Sequence, residues 1–395
     1  MKTFFARIDG SVTAPHGFRA AGTAAGIKAS GMKDMALIVS DEPATVAATF
    51  TTNQVKAAPV KLSMRHAKTG KACAIIANSG NANACTGRIG IIHAKAMAAA
   101  VARRIGCREE GILVCSTGRI GVLLPIVKIE AGIKRLLGTL SPCGGTAAAE
   151  AIMTTDTFAK EVAVQFKAGG RTIRIGGIAK GAGMIQPNMA TMLSFITTDA
   201  AVPRAALQKA LTRAVNQSFN RISVDGDTST NDTVILLANG MAGAPPLMKF
   251  QQALDFVCLE LAKMIVRDGE GVSKFVTINV HGAVTDRDAE IAARAVANSV
   301  LVKTSWCGGD PNWGRILDAL GYSRARVHED LVDIAYNGVP AVRGGMAART
   351  PLAKLKKIVA HPTFTIDIRL HLGHGHCTMH TCDLTEKYVE LNKGE

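Results

Sequence analysis

The stretch that most constrains this 395-residue chain runs from Gly176 to Phe195, GGIAKGAGMIQPNMATMLSF. Glycines at 176, 177, 181 and 183 surround Lys180, and a small residue, Ala190, then precedes Thr191, which opens an apolar, strand-like run from Met192 to Ile196. Glycine lets a backbone turn tightly and bring its amide donors close to another group. A threonine hydroxyl held against its own preceding carbonyl can attack it, and hydrolysis of the resulting ester starts a new chain at Thr191. The freed amine can then act as base for its own hydroxyl. The alternative is a glycine-rich turn that feeds a core strand.

Longer motifs surround this stretch. IIANSGNANACTG, STGRIG, AIMTTDT, SFNRISVDGDTSTNDT, RDGEGVSKF and LVKTSWCGGDPNWGRI follow one another in the order found in the ornithine acetyltransferases, the glutamate N-acetyltransferases of arginine biosynthesis. The chain resembles that family from about residue 13 to residue 392. The resemblance implies a layered αββα sandwich over residues 1–281, containing the cleavage site, and a smaller α/β domain over 282–395. It implies cleavage between Ala190 and Thr191, an α chain of 1–190 and a β chain from 191, and assembly as an α2β2 heterotetramer.

The resemblance also assigns roles. Thr191 is the nucleophile, and its α-amine, which titrates at about 8 when unperturbed, is the base. Thr117 and Gly118 match the oxyanion-hole pair: a strand end followed by glycine can present a hydroxyl and an N–H at one point. In this chain the segment reads Gly118-Arg119-Ile120-Gly121, with an arginine where the family commonly has valine. Thr154, Lys180, Thr191, Glu270 and Asn392 match substrate-binding positions. Lys180 can pair with an α-carboxylate, and Glu270 can accept from the amine of ornithine. The family's closing Thr or Ser contact has no counterpart after Asn392.

The implied reaction moves an acetyl group from N2-acetylornithine to glutamate by a ping-pong route, with no cofactor; acetyl-CoA is a further candidate donor, as a substrate. Two rivals stand beside it: an aminopeptidase or amidase built on the same threonine, and a basic binding protein that stays uncut.

Composition bears on the rivals. The formal charge of +15 suggests nucleic acid, but Lys and Arg are dispersed and no nucleic-acid motif accompanies them. Steering of an acidic substrate is another use for that charge. No apolar run approaches the ~20 residues of a membrane span, and Arg7 and Asp9 interrupt any secretory signal. The nine cysteines are scattered with no C-x-x-C pair, which fits reduced thiols and a cytoplasmic location.

Periodicity places strands at Met35–Ser40, Ala72–Ala77 and Ile112–Cys115, a second apolar segment at Thr45–Phe50, and a hairpin from Val162 to Ile175 that enters the glycine stretch. Helices fall at His93–Ile105, after Pro125 and Pro203, at Gln251–Val266 and at Asp286–Asn298. The region from Arg343 to Lys357 reads as loop. This alternation of strand and helix argues for a layered α/β protein with mixed sheets.

Two clusters invite a metal. Asp225 to Asp232 lacks calcium-loop spacing and reads as a hydrogen-bonded loop beside the active site. On a strand, His374, His376, His380 and Cys382 would share one face, and all can ligate zinc, so adventitious zinc is a hypothesis there; the family itself uses no metal.

Overall fold

The computed structural model describes residues 4–186 and 192–393. Ala190 and Thr191 lie outside the described residues. The chain divides into two compact units, Met1–Asn220 with Asp227–Ile265, and Arg221–Gly226 with Val266–Glu395. A division after residue 281 would instead cut through a strand, Phe275–Ala283.

The first unit carries strands β1 (Phe5–Ile8), β2 (Phe18–Thr23), β3 (Met35–Phe50), β4 (Lys71–Asn78), β5 (Ile112–Ser116), β6 (Lys160–Ala168), β7 (Arg171–Lys180), β8 (Leu193–Ala200) and β9 (Thr233–Gly243). Its helices are α1 (Ala58–His66), α2 (Gly87–Ile105), α3 (Ile126–Gly138), α4 (Gly145–Ile152), α5 (Arg204–Gln217) and α6 (Leu247–Arg267), the last running into the second unit. The strands follow the order β1-β6-β7-β8-β9-β3-β4-β5, with β2 on β3.

The long strand β3 joins two halves of this sheet. Residues 35–39 pair with β2 and β4, the register shifts between Val39 and Ala44, and residues 45–50 pair with β9. Such a shift bends a strand and strengthens its twist. Asp41, Glu42 and Pro43, exposed at this shift, carry the change.

The two halves pack face to face. Ala36, Ile38, Ile75, Ala77, Leu113 and Cys115 from one half share a core with Ile178, Leu193, Phe195, Ile235 and Leu237 from the other, with α4 joining them. The remaining face of the first half, through Leu37, Ile76 and Val114, packs on α2 and α3. On the other half, Gly177 of β7 meets Val257 and Leu261 of α6. Helix, sheet, sheet and helix therefore lie in layers, as each apolar face requires. The expected αββα architecture is present.

Within β7 the glycines serve close packing. A Cβ on Gly176 would stand 1.8 Å from the carbonyl oxygen of Ser11, so this strand admits no side chain there. All eight residues of β8 are buried, from Leu193 to Ala200.

The second unit carries β10 (Phe275–Ala283), β11 (Asp333–Tyr336), β12 (Val339–Arg343), β13 (Met346–Ala347), β14 (Thr363–Arg369) and β15 (Gly375–Cys382), ordered β13-β12-β11-β14-β10-β15. Helices α7 (Asp286–Asn298), α8 (Val300–Cys307), α9 (Trp313–Gly321), α10 (Leu352–Ala360) and α11 (Glu386–Leu391) complete it. Its core gathers Val276, Ile278 and Val280 with Ala289, Ala293, Trp306 and Phe364. The region from Arg343 to Lys357, read as loop, contains β13 and most of α10, which starts directly after Pro351.

The zinc hypothesis fails on geometry. His374 precedes β15, and residues two apart on a strand stand roughly 7 Å apart. His376 and Cys382, six residues apart on this strand, therefore stand roughly 20 Å apart and cannot share one ion. His380 stacks on Phe275, with ring centroids 5.4 Å apart, and His376 faces Asp286 at 3.3 Å. Among the described residues no group of three or more His, Cys, Asp or Glu side chains could hold a metal. All nine cysteines are free thiols, and no helix among the described residues is long and apolar enough to cross a membrane.

Candidate active site

Thr117 and Gly118 follow β5 directly. The Thr117 N–H donates to the Asn78 carbonyl at the end of β4 (2.9 Å), which leaves two donors at the strand end: the Thr117 hydroxyl and the Gly118 N–H. Neither makes a hydrogen bond among the described residues. Gly118 adopts φ +126°, and a Cβ there would fall 2.5 Å from the Gly80 carbonyl carbon and 2.6 Å from the Asn81 nitrogen. Only glycine fits this approach of two backbones.

That approach is braced from behind. Asn78 Nδ2 donates to Asn81 O (2.8 Å), Ser116 Oγ donates to Asn78 Oδ1 (2.6 Å), and Asn81 Nδ2 donates to Val122 O (3.1 Å). Buried side chains thus satisfy the backbone of the Asn78–Asn81 turn and fix the strand end against it.

Lys180 closes β7 and is buried, with its Nζ 4.0 Å from Asp156 Oδ2. Asp156 lies just after Thr154, whose N–H donates to the same Oδ2 (2.9 Å). Asp156 Oδ1 accepts from Lys160 Nζ (2.7 Å) and from the Gly181 N–H (2.7 Å). Burial opposes the Asp156 charge, but Lys180, Lys160 and the Gly181 amide outweigh it and hold the carboxyl well below the usual carboxylate range. Two lysines and one aspartate sum to a single positive charge. Lys28 stands nearby: burial lowers its ammonium pKa against the pull of Asp34 and Asp156, and Lys180 lowers it further.

Asp232, just before β9, is fully buried. Its Oδ1 accepts from the Met192 N–H (2.8 Å). Burial pushes its carboxyl well above the usual range, against the Met192 amide, Lys180 and Thr51.

Glu270 and Asn392 belong to the second unit. Asn392, after α11, donates from Nδ2 to Glu270 Oε2 (2.8 Å). Gly271 sits so close to α11 that a Cβ would fall 2.6 Å from the Tyr388 nitrogen, and Thr385 Oγ1 donates to Gly271 O (2.6 Å). The turn that carries Glu270 is thereby docked on the helix that carries Asn392.

The structure thus places Thr117, Gly118, Thr154 and Lys180 in the first unit, with Thr154 and Lys180 joined through Asp156. Glu270 and Asn392 form a bonded pair in the second. Sequence reasoning assigned no role to Asp156 or Lys160, and read Asn231 and Asp232 only as part of a hydrogen-bonded loop beside the active site. A hint lay in AIMTTDT, where Asp156 stands two residues after Thr154; the partners that bury these charges come from remote strands.

A layered α/β fold with a hydroxyl and an N–H left as free donors near a buried lysine cluster has the equipment of an acyl-transfer enzyme. Comparison with known proteins is specific. The model of the ArgJ family matches residues 19–394. An arginine biosynthesis bifunctional protein ArgJ from Symbiobacterium thermophilum is 50% identical over 394 residues, covering 98% of each chain. One from Geobacter sulfurreducens is 50% identical over 384 residues, 95% of this chain and 98% of its own. Among solved structures, the arginine biosynthesis bifunctional protein argJ from Bacillus halodurans is 40% identical with a TM-score of 0.50, matched over 100% of its chain and 52% of this one. The chain belongs to the ArgJ family. It is an acyltransferase of arginine biosynthesis.

Proposed function

We propose that this enzyme moves the acetyl group of N2-acetylornithine to glutamate through an acetyl ester on Thr191, after cutting its own chain between Ala190 and Thr191. The Thr191 hydroxyl adds to the acetamide carbonyl while its proton passes to the Thr191 α-amine. The Thr117 hydroxyl and the Gly118 N–H receive the oxyanion, the C–N bond breaks, and the proton leaves with the ornithine nitrogen. Glutamate's amine then attacks the ester, and its proton returns by way of the α-amine to the threonine oxygen. Acetyl-CoA can enter the same scheme as an acetyl donor, and no cofactor is needed.

The observation that carries this reading is the pair of unpartnered donors at Thr117 and Gly118. The positive charge of the Asp156, Lys160 and Lys180 group supports a substrate carboxylate at Lys180 beside Thr154. Glu270, bonded to Asn392, suits the cationic amine of ornithine. Cleavage before Thr191 is supported by length: residues 191–395 are 205 of 395, or 52% of the chain, the share matched by the whole solved chain from Bacillus halodurans. The two pieces would remain together as an α2β2 heterotetramer in the cytoplasm, where the nine free thiols stay reduced.

Intact-mass measurement of the purified protein beside Thr191→Ala tests the reading. Two fragments meeting at residue 191, both absent from the variant, and acetyl transfer that vanishes with them are expected. An uncut wild-type chain with full transferase activity would overturn it. Acetate release without glutamate at the transfer rate would favour a hydrolase instead.

A further inference from the structure

Asn231 and Asp232 are consecutive, buried and bonded to two different strand ends. Asn231 Nδ2 donates to Ala82 O (2.7 Å) and to Ser116 O (2.8 Å). The Ser116 carbonyl belongs to the peptide that Thr117 completes, and the N–H of that peptide is held by Asn78 O (2.9 Å). Both ends of the peptide before the free Gly118 N–H are therefore fixed. Asp232 Oδ1 accepts from the Met192 N–H (2.8 Å), and Thr233 donates from its N–H to the Met192 carbonyl (3.1 Å). Met192 is covalently next to Thr191.

We propose that Asn231 and Asp232 are positioning residues for acetyl transfer: one registers the oxyanion peptide through Ser116, the other holds Met192, the residue that follows Thr191 in the sequence, and both are carried on one short segment. This rests on the reading of Thr191 as nucleophile. Successive side chains of an extended segment point to opposite sides, so neighbours on one segment can reach two strand ends. The segment is itself anchored, with Thr51 N–H donating to Asp232 O (3.0 Å) and Thr233 Oγ1 to Asn231 O (3.0 Å).

Asp232 Oδ2 is buried with no hydrogen-bond partner among the described residues, and the Thr51 hydroxyl beside it donates to Ser229 O (2.8 Å) instead. A buried polar atom without a partner costs stability and calls for a functional account. Misplacing a catalytic group by about 1 Å costs about 10²-fold in rate, which is the scale expected here.

The test uses the full-length protein with Asn231→Ala, Asp232→Ala, Asp232→Asn and Thr191→Ala, reading chain cleavage by mass and kcat and KM for transfer from N2-acetylornithine to glutamate. Both alanine variants are expected to lose about 100-fold in kcat with KM within about twofold of wild type. Asp232→Asn keeps an oxygen for the Met192 N–H, and is expected to recover at least about a third of wild-type kcat. Alanine variants with kcat within about threefold of wild type, a rise in KM at constant kcat, or Asp232→Asn as slow as Asp232→Ala would each overturn the proposal. If an alanine variant does not fold, Asn231→Ser, whose hydroxyl reaches only one of the two carbonyls, must still lose at least about tenfold in kcat at unchanged KM, or the proposal fails. Thr191→Ala separates the two readings. If it still transfers acetyl, the nucleophile is wrong; if it is dead while Asn231→Ala and Asp232→Ala are fast, only the positioning role is wrong.

Discussion

Lys160 Nζ donates to Asp156 Oδ1 across 2.7 Å, and neither side chain is reached by solvent. A charge so buried tolerates no loss of its partner. Asp156→Ala is expected to destabilise the protein by about 3–5 kcal/mol, because it strands the Lys160 ammonium away from water and removes the acceptor for the Gly181 N–H. A urea unfolding midpoint unchanged by the substitution would show that another group neutralises Lys160.

The same carboxyl sets an acid limit. Its folded pKa lies below its unfolded value of about 3.9, so the unfolded state binds more protons once the pH drops below about 5. The stability that Asp156 supplies is complete above that range and disappears as the pH falls through the folded pKa. Unfolding followed between pH 6 and pH 3 should show a loss that Asp156→Asn lacks; parallel curves would remove Asp156 from the account.

Asp232 has the opposite sign. Its folded pKa is raised, so above about pH 4 the unfolded state releases a proton that the folded state keeps, and stability falls as pH rises toward the folded pKa. Asp232→Asn abolishes that dependence while leaving an acceptor for the Met192 N–H. The variant's melting temperature should therefore gain on the wild type as the pH rises above about 4. A constant difference over this range would mean that the carboxyl is already ionised in the folded protein.

At Gly118 the prediction is steric and kinetic together. With φ at +126° and a Cβ position 2.5 Å from the Gly80 carbonyl carbon, Gly118→Ala must displace one backbone or the other. The N–H proposed to receive the oxyanion moves with it, and a loss of about 10² to 10³ in kcat is expected in single-turnover acetylation. Thr117→Val, which removes only the hydroxyl, should cost a similar factor without disturbing the Asn78 contact. If Thr117→Val acetylates at the wild-type rate, the hydroxyl is not an oxyanion donor.

Much of this was legible in the sequence because periodicity reports burial. Met97 and Val101 of α2, and Ile129, Ile133 and Leu136 of α3, recur at helical spacing and are buried. Alternation in β6 and β7 marks the hairpin that delivers Lys180. The continuity of β3 was hidden, since Asp41-Glu42-Pro43 reads as a turn when only a register shift carries the chain through it. Helix α4, Gly-Thr-Ala-Ala-Ala-Glu-Ala-Ile, was hidden for another reason: it buries small residues and shows no stripe of large ones. At the site, adjacency in sequence exposed Thr117 with Gly118. No local pattern could show that Asn231 reaches Ser116, 115 positions away, because that contact exists only after β4, β5 and β9 have found their places.

The pair formed by Asn392 and Glu270 allows binding to be separated from chemistry. Asn392 Nδ2 lies 2.8 Å from Glu270 Oε2 and 2.9 Å from Tyr388 O, on the exposed side of α11. Surface hydrogen bonds of this kind add little stability, so Asn392→Ala should shift unfolding by no more than about 0.5 kcal/mol. Glu270, no longer held, would lose its orientation toward the ornithine amine that the proposed function assigns to it. The expected result is a KM for N2-acetylornithine raised about tenfold, roughly the 1.4 kcal/mol of one charge-assisted hydrogen bond, with kcat within about threefold. Glu270→Gln should behave the same way, and the double variant should be no worse than the worse single, since both remove one interaction. A fall in kcat at constant KM would instead give Glu270 a part in the transition state, as an acceptor for the proton of the incoming amine.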